Sequence, residues 1–296
     1  MRNITNRIYK REDDIQIIID LLTKHRHPDH RTDYPLKVDI EENMASETVR
    51  ANMRIWFDNG QPIGWAYVDD FRNLRWEFDT QYDALIGKDI VAWGESCIQQ
   101  LNEKSITLDA SCRENYAEKV SFLKRHGFHQ TEGTSIAMVR DLSKSIPDPE
   151  PPNGFIIRPI AGVQEAEAVA STHRAAFGTE YMTIERRLAI MNSSEYDPSL
   201  DLLVIAPDGT VAAYCSCAVN EETKAGDTDP VATHPNNQRM GLARTLILTG
   251  MKLLKERGMI SAHLGMSGDN IAMQKTAESV GFTIEYTNLW FSKEVT

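Results

Sequence analysis

Several familiar features are missing from this chain, and each absence removes a class of protein. No run approaches the roughly 18 apolar residues that a membrane helix needs. The opening stretch MRNITNRIYKREDD is polar and has no apolar core, so no secretory signal is expected. Cys97, Cys112, Cys215 and Cys217 are too few and too scattered for a disulfide framework. Cys215 and Cys217 lie two apart in a segment that reads as strand, which puts them on one face instead of forming a CxxC metal pair. A reduced, cytoplasmic compartment is the expectation. Neither half is basic: the net charge of −11 divides into −6 for residues 1–150 and −5 for 151–296. Nucleic acid and membrane are therefore not expected partners, whereas an amine-bearing one is tolerated. At 296 residues, 41% hydrophobic and 25% charged, the chain can bury one large core or two ordinary ones.

The segment SKSIPDPEPPNG (143–154) packs four prolines and a glycine into twelve residues. It can continue neither a helix nor a ladder and reads as a semi-rigid linker. The pieces on either side, 1–142 and 155–296, look alike. NRIYKREDDIQIIIDLL parallels FIIRPIAGVQEAEAVAS, and MRIWFDNGQPIGWAYV parallels LLVIAPDGTVAAYCSCAV. The second pair are β-rich runs joined by tight turns, with Asn59-Gly60 and Asp208-Gly209 supplying positive φ. FLKRHGF and TAESVGF close the comparison. Gly60 and Gly209 are 149 apart, and Phe128 and Phe282 are 154 apart. Such a near-constant offset argues for a duplicated domain. The predicted architecture is α/β (α+β), each half a mixed, mostly antiparallel sheet flanked by helices. In the second half the spacing predicts strands at 155–158, 200–206, 210–220, 226–233, 260–266 and 282–292. Helices are predicted at 163–177, 183–192, 238–257 and 269–280.

The most informative segment is DPVATHPNNQRMGLARTLILTGMKLLKERG, residues 229–258. A strand ends near Thr233, a polar turn follows, and a long helix is predicted to start around Arg239. Unpaired N–H groups and the helix dipole favour an anion at such a junction. Gly241 and Ala243 keep the surface low there, and Arg239 and Arg244 can add charge-assisted hydrogen bonds.

This Gln238-x-x-Gly241-x-Ala243 turn resembles the acyl-CoA pyrophosphate loop of the GNAT N-acetyltransferase superfamily. VATHP before it and DNIAMQKTAESVGF after it fall at the family's spacing, and 155–296 follows the family's order of elements. With the duplication, the chain resembles tandem GNAT proteins of the mycothiol synthase type. The resemblance implies acetyl-CoA as co-substrate with no metal, a small-molecule or peptide amine as acceptor, and a monomer or homodimer. It implies that Val231, Ala232 and Thr233 meet the pantetheine as an added strand. Gln238, Arg239, Met240, Gly241, Leu242, Ala243 and Arg244 would hold the pyrophosphate, and Asn270 would face the cofactor. Pro230, which removes a ladder donor, is expected at a bulge. Asp227 and Asp229 alternate on the strand entering the site and fall where the family often carries a Glu base. Sharing one face, each would raise the other's pKa; the alternative is that both are solvated turn residues.

There are departures from the pattern. The family's Tyr, seven residues after the Asn, is Ala277 here, which leaves a catalytically weak acetyl-CoA-binding scaffold as the alternative; Tyr286 or Cys217 could substitute as acid. In the first half, Gly87 keeps the last glycine position, but Leu85 and Tyr82 replace the first glycine and the Gln/Arg. Asp79, Asp83 and Asp89 would repel a pyrophosphate. Residues 1–142 are thus expected to be a degenerate GNAT-like domain without cofactor, and 155–296 the acetyltransferase domain. His173, Arg174, Phe177, Glu180 and Tyr181 are candidates for the acceptor side, helix surface being the alternative, and His234 either touches phosphate or faces solvent. The five tryptophans, Trp56, Trp65, Trp76, Trp93 and Trp290, read as core.

One stretch points elsewhere. In KHRHPDHRTDYP (24–35), His25, His27, Asp29 and His30 resemble the zinc signature of the metallo-β-lactamase superfamily. The residues before it, however, read as one strand and an amphipathic helix with Ile15, Ile18, Ile19 and Leu22 at helical spacing. The later histidines belong to elements explained otherwise. The stretch is therefore read as a polar loop bordering the acceptor channel.

Overall fold

The computed structural model describes residues 2–10, 13–25, 35, 37–44, 46–100 and 106–295. Contacts group the chain into two compact units, Met1–Gly133 with Asn288–Thr296, and Thr134–Thr287.

The first unit begins with β1 (Ile4–Ile8), α1 (Asp13–His25), α2 (Lys37–Asn43) and α3 (Glu47–Ala51). A meander follows: β2 (Met53–Asp58), β3 (Gln61–Val68) and β4 (Leu74–Phe78). Its antiparallel order is β1-β2-β3-β4. The β2–β3 turn uses the expected positive φ at both Asn59 and Gly60, 49° and 83°. Then come α4 (Lys88–Gln99), β5 (Ile106–Arg113), α5 (Ala117–Arg125) and the long strand β6 (His129–Asp141). Ile18, Leu21 and Leu22 of α1 pack on Ile55, Trp65 and Tyr67 on one face. Ile90 and Val91 of α4 and Phe122 of α5 pack on Trp56, Trp76 and Leu108 on the other. Trp56, Trp65, Trp76 and Trp93 are buried, as the apolar patterning requires.

The second unit holds β7 (Ile156–Pro159), α6 (Ala166–Phe177), α7 (Ile184–Met191), β8 (Asp201–Ile205), β9 (Val211–Asn220) and β10 (Ala225–Thr233). It continues with α8 (Leu242–Glu256), β11 (Ser261–Ser267), α9 (Ile271–Ser279) and β12 (Thr283–Val295). The strand order is β7-β8-β9-β10-β11-β6, all neighbours antiparallel except the parallel β10–β11 pair. Leu246, Leu248 and Met251 of α8 cover one face with Ala277 of α9. Val169 of α6 packs with Tyr214 and Ala232 on the other.

The two sequence halves and the two compact units are different partitions. The 135–141 part of β6 pairs with β11 in the second unit, and the 288–295 part of β12 pairs with β5 in the first. The last strand of each half thus pairs with a strand of the other half. The proline-rich segment belongs to the second unit and lies along α8: Lys252 pairs with Asp148, and Thr245 Oγ1 donates to the Glu150 carbonyl at 3.4 Å. Two further details differ from the pattern reading. At the β8–β9 turn only Gly209 has positive φ, 87°, while Asp208 accepts from Thr210 N at 3.0 Å. α8 starts at Leu242 instead of Arg239 because Arg239 and Gly241 both adopt left-handed φ, 61° and 82°.

Among the described residues no helix is long and apolar enough to cross a membrane, and no cluster of three His, Cys, Asp or Glu could hold a metal ion. His27, Asp29 and His30 lie outside the described residues, and so does the loop assigned to them.

Candidate active site

β10 and β11 run together only briefly. Their parallel register covers Ala225–Asp227 against Ser261–His263, and Thr228 Oγ1 donates to the His263 carbonyl at 3.1 Å. Beyond this point β10 stays with β9 while β11 stays with β6, so the two strands part. The parting coincides with a bulge: the β9 register shifts between Thr228 and Val231, and the Asp229–Pro230 peptide is cis. Pro230 therefore sits where a missing ladder donor does no harm. The edge of β10 that carries Val231, Ala232 and Thr233 has no β11 partner. Such an edge offers free backbone groups to an extended ligand.

The bulge also sorts side chains between the faces. Gly226 and Thr228 lie toward α8, since a Cβ on Gly226 would collide with Leu254 and one on Gly250 would come within 3.6 Å of Thr228. Asp227 and Asp229 point the opposite way. There a Cβ on Gly265 of β11 would lie 3.4 Å from Asp229 Oδ2. Asp229 is exposed to the gap between the strands, yet surrounding protein mass and the nearby Asp227 push its pKa up to about 7. Desolvation also raises Asp227, and His263 partly offsets that rise. The expected pair of acids on one face is present; the larger cause is desolvation and not their mutual repulsion.

His173, an acceptor-side candidate, and neighbours that the sequence pattern did not single out complete this face. His263 Nδ1 stands 3.3 Å from Glu285, and its Nε2 is 2.9 Å from Ser261 Oγ. Ser216 falls opposite the bulge and donates to Asp201 at 3.0 Å. Asp201 also pairs with buried Arg187 and accepts from Tyr196 at 2.5 Å. Tyr214 Oη lies 2.6 Å from His173 Nδ1, and burial together with Arg187 and Arg174 lowers the His173 pKa to about 4. For Asp201, Tyr214, Ser216 and His263 the only local signal was strand alternation, which tells a face but not a neighbour.

The loop before α8 leaves several backbone N–H groups outside the helix ladder. Thr245 N donates to the Gly241 carbonyl at 3.1 Å, the first bond of the helix. The N–H groups of Leu242, Ala243 and Arg244 thus precede the ladder. Left-handed φ at Arg239 and Gly241 turns successive N–H groups toward one concavity. A Cβ on Gly241 would meet nothing within 4 Å, so the glycine borders open space. Gln238, Arg239 and Met240 are exposed around it. These features fit a pyrophosphate. His234 is occupied locally, its Nδ1 accepting from Asn236 N at 3.3 Å. Asn270 caps α9, with Oδ1 accepting from Met273 N at 3.1 Å, so its amide nitrogen is the group left to face outward.

Other candidates are more plainly structural. Ala277 is fully buried among Leu248, Met251 and Phe282, so α9 sends no hydroxyl into the cleft from this position. Cys217 packs under α8 beside Gly250, with its Sγ 3.7 Å from Cys215 Sγ, on the face opposite Asp229; it does not reach the cleft as an acid. Tyr286 is buried in β12. Arg174 staples its own loop, bonding the Met182 carbonyl at 2.8 Å and Glu167 at 2.6 Å. Tyr181 stacks under Arg186 at 4.1 Å, and Phe177, half exposed, lies against His173. The Glu180 side chain is almost wholly exposed.

The counterpart run in the first unit does not form the same cradle. Residues 79–88 pass from a 3-10 turn directly into helix, and Gly87 has an ordinary helical φ of −57°. A Cβ at Gly87 would meet Asp83 at 2.6 Å and Phe122 at 2.9 Å, so the space is filled. Asp89 is not directed at this run; it accepts from Trp56 Nε1 at 2.6 Å and from Asn6 at 3.1 Å.

Known proteins resemble this chain in part of its sequence and in its fold. Residues 166–282 match the model described as "Acetyltransferase (GNAT) family". A mycothiol acetyltransferase from Kytococcus sedentarius is 30% identical over 143 residues, 46% of this chain and 48% of that protein. One from Nocardiopsis dassonvillei is 27% identical over 155 residues, 49% of this chain and 47% of that protein. The chain thus spans about half the length of the curated relatives it matches. Among solved structures, a tandem GNAT protein from the clavulanic acid biosynthesis pathway covers 100% of this chain and 99% of its own, with TM-score 0.72 and 15% identity. A GCN5-related N-acetyltransferase from Sphaerobacter thermophilus covers 99% and 96%, with TM-score 0.71 and 19% identity. At these identities the structural matches establish the fold, a tandem one.

Proposed function

We propose, from a chain whose residues 166–282 match the GNAT acetyltransferase family, that this protein is an acyl-CoA-dependent N-acyltransferase. It transfers acetyl from acetyl-CoA to an amine of a small molecule or peptide by direct attack in a ternary complex. The observation that carries this reading is Asp229: an accessible carboxylate with its pKa near 7, aimed into the gap where β10 and β11 part.

The amides and guanidinia from Gln238 to Arg244 hold the pyrophosphate, and the free edge at Val231, Ala232 and Thr233 aligns the pantetheine. Asn270 borders the same cleft from α9. Asp229 accepts a proton from the acceptor ammonium, and Asp227 keeps the proton affinity of Asp229 high. The freed nitrogen attacks the thioester carbonyl; the C–N bond forms, the C–S bond breaks, and the second proton that the nitrogen sheds on becoming an amide passes through water to the leaving thiolate, because α9 offers no hydroxyl at Ala277. Residues 1–142 act as a degenerate partner domain without cofactor.

The test is free thiol release from acetyl-CoA with a panel of amines, beginning with the acetylation named in the mycothiol acetyltransferase relatives. Amine-dependent release that Asp229→Asn abolishes supports the reading. Full activity in Asp229→Asn defeats the assigned base. Tight acetyl-CoA binding with no transfer to any amine favours a second reading, an acetyl-CoA-binding scaffold, to which the buried Ala277 lends weight.

A further inference from the structure

The first unit contains a cavity of about 320 Å³ between the end of β4, the turn that follows it and α5. That size lies in the ordinary range for small-molecule sites, roughly 300 to 1,000 Å³. Its chemistry is not that of a pyrophosphate cleft. Trp76 and Phe122 stack at 5.2 Å, Phe78 adds a third ring 5.7 Å from Phe122, and Tyr116 stands at the head of α5. Three acids, Glu77, Asp83 and Glu118, line it against two bases, Lys119 and Arg125. Asp83 is paired with Arg125.

The decisive feature is what Lys119 does. Its ammonium lies 5.6 Å from the Trp76 ring centroid and 5.4 Å from that of Tyr116, and 2.8 Å from Glu77 Oε2. The Glu77 side chain is only 8% exposed. Two π faces and a nearly buried carboxylate therefore already enclose a cation, which is how aromatic cages recognise substituted ammonium ions. The cation is tethered by a flexible four-carbon stem from a helix surface, so it can swing outward and leave the cage to another.

We propose that this cavity binds an organic ammonium ion bearing a flat apolar group, with the ammonium replacing Lys119 Nζ beside Glu77 and the flat group filling the rest of the cavity. An anion is disfavoured by the excess of acids. A purely apolar ligand would leave the cage to Lys119 and gain only the ring surface. The site is separate from the transfer reaction and does not rest on it.

Benzyltrimethylammonium is a suitable probe, because a quaternary nitrogen cannot accept an acetyl group. Its binding to the full chain is followed by calorimetry and by Trp emission, with circular dichroism confirming that each variant is folded. Saturable binding is expected, weakened about tenfold by Glu77→Gln, since a cage contact plus a charge is worth roughly one decade in affinity. Lys119→Met should tighten binding by removing the built-in competitor, the reverse of what loss of a mere structural ion pair would do. Trp76→Phe should remove most of the emission change, and Asp229→Asn should leave binding unaltered. Absence of saturable binding overturns the proposal, as does weaker binding in Lys119→Met. Loss of binding in Asp229→Asn would assign the probe to the second unit, and competition by acetyl-CoA would make the cavity a cofactor cleft; either result overturns it too.

Discussion

Asp229 Oδ2 stands 3.4 Å from the point where a Cβ on Gly265 would lie, so the acid and the glycine face each other across the gap between β10 and β11. A methyl group at 265 would touch the carboxylate and occupy the approach to it. Gly265→Ala is expected to lower turnover on the order of tenfold to a hundredfold through misplacement of the reacting groups. Gly265→Val should lower it further, with the thermal midpoint little changed. Wild-type turnover in the valine variant would show that the acceptor does not pass this point.

The pH profile follows from the direction of the Asp229 shift. A base acts deprotonated, so kcat/KM should rise with pH through about 7 and then level. Asp227→Asn removes a like charge and should move this limb to lower pH without abolishing it, because desolvation is the larger cause. Asp229→Asn should cost roughly 10² to 10⁴-fold in rate and erase the limb. Steady-state profiles of the three proteins decide the matter.

The same shift has a consequence for stability. The pKa of Asp229 is higher folded than in its ordinary state, so between about pH 4 and about pH 7 the native protein holds the proton more firmly. This group's contribution therefore falls as pH rises through that window. Calorimetric scans should find Asp229→Asn more stable than wild type above neutrality, and equal to it below about pH 4. An Asn variant that is less stable in alkaline buffer would contradict the assigned desolvation.

Gly241 adopts a φ of 82° with open space around its missing Cβ. Gly241→Leu is expected to cost about 1–2 kcal/mol for the left-handed backbone and to cover the N–H groups that precede α8. The KM for acetyl-CoA should rise at least as much as in Arg244→Ala, while kcat for bound substrates changes little. Equal KM values in variant and wild type would remove this loop from the binding site.

Strand exchange can be tested by truncation. Ending the chain after Thr287 removes the segment that pairs with β5, although by sequence it belongs to the second half. Hydrogen exchange should then accelerate at Leu108 and Ala110 in the first unit, while α8 in the second keeps its protection. Unchanged protection of β5 would argue against the pairing.

Much of this was legible in the residues themselves. Asn59-Gly60 specified a hairpin because both positions must tolerate positive φ. Pro230 in a strand specified a bulge, and Gly241 with Ala243 specified an open helix start. The start of α8 was misplaced by three residues because Arg239, an ordinary residue by type, takes a left-handed φ that only the surrounding turn imposes. Asn270 was legible as a helix start, and its cap bond is what such a residue provides.

By itself the sequence determined the local elements, the duplication, the open helix start at Gly241 and the placing of Asp227 with Asp229 on one face, since period and turn chemistry act over a few residues. Tertiary structure alone decided which strand each terminal strand pairs with, that Gly265 faces Asp229, that desolvation outweighs repulsion in raising its pKa, and that Lys119 fills an aromatic cage. Those outcomes depend on hydrogen bonds and burial between residues far apart in the chain, and alternation along a strand carries no information about the neighbour it will meet.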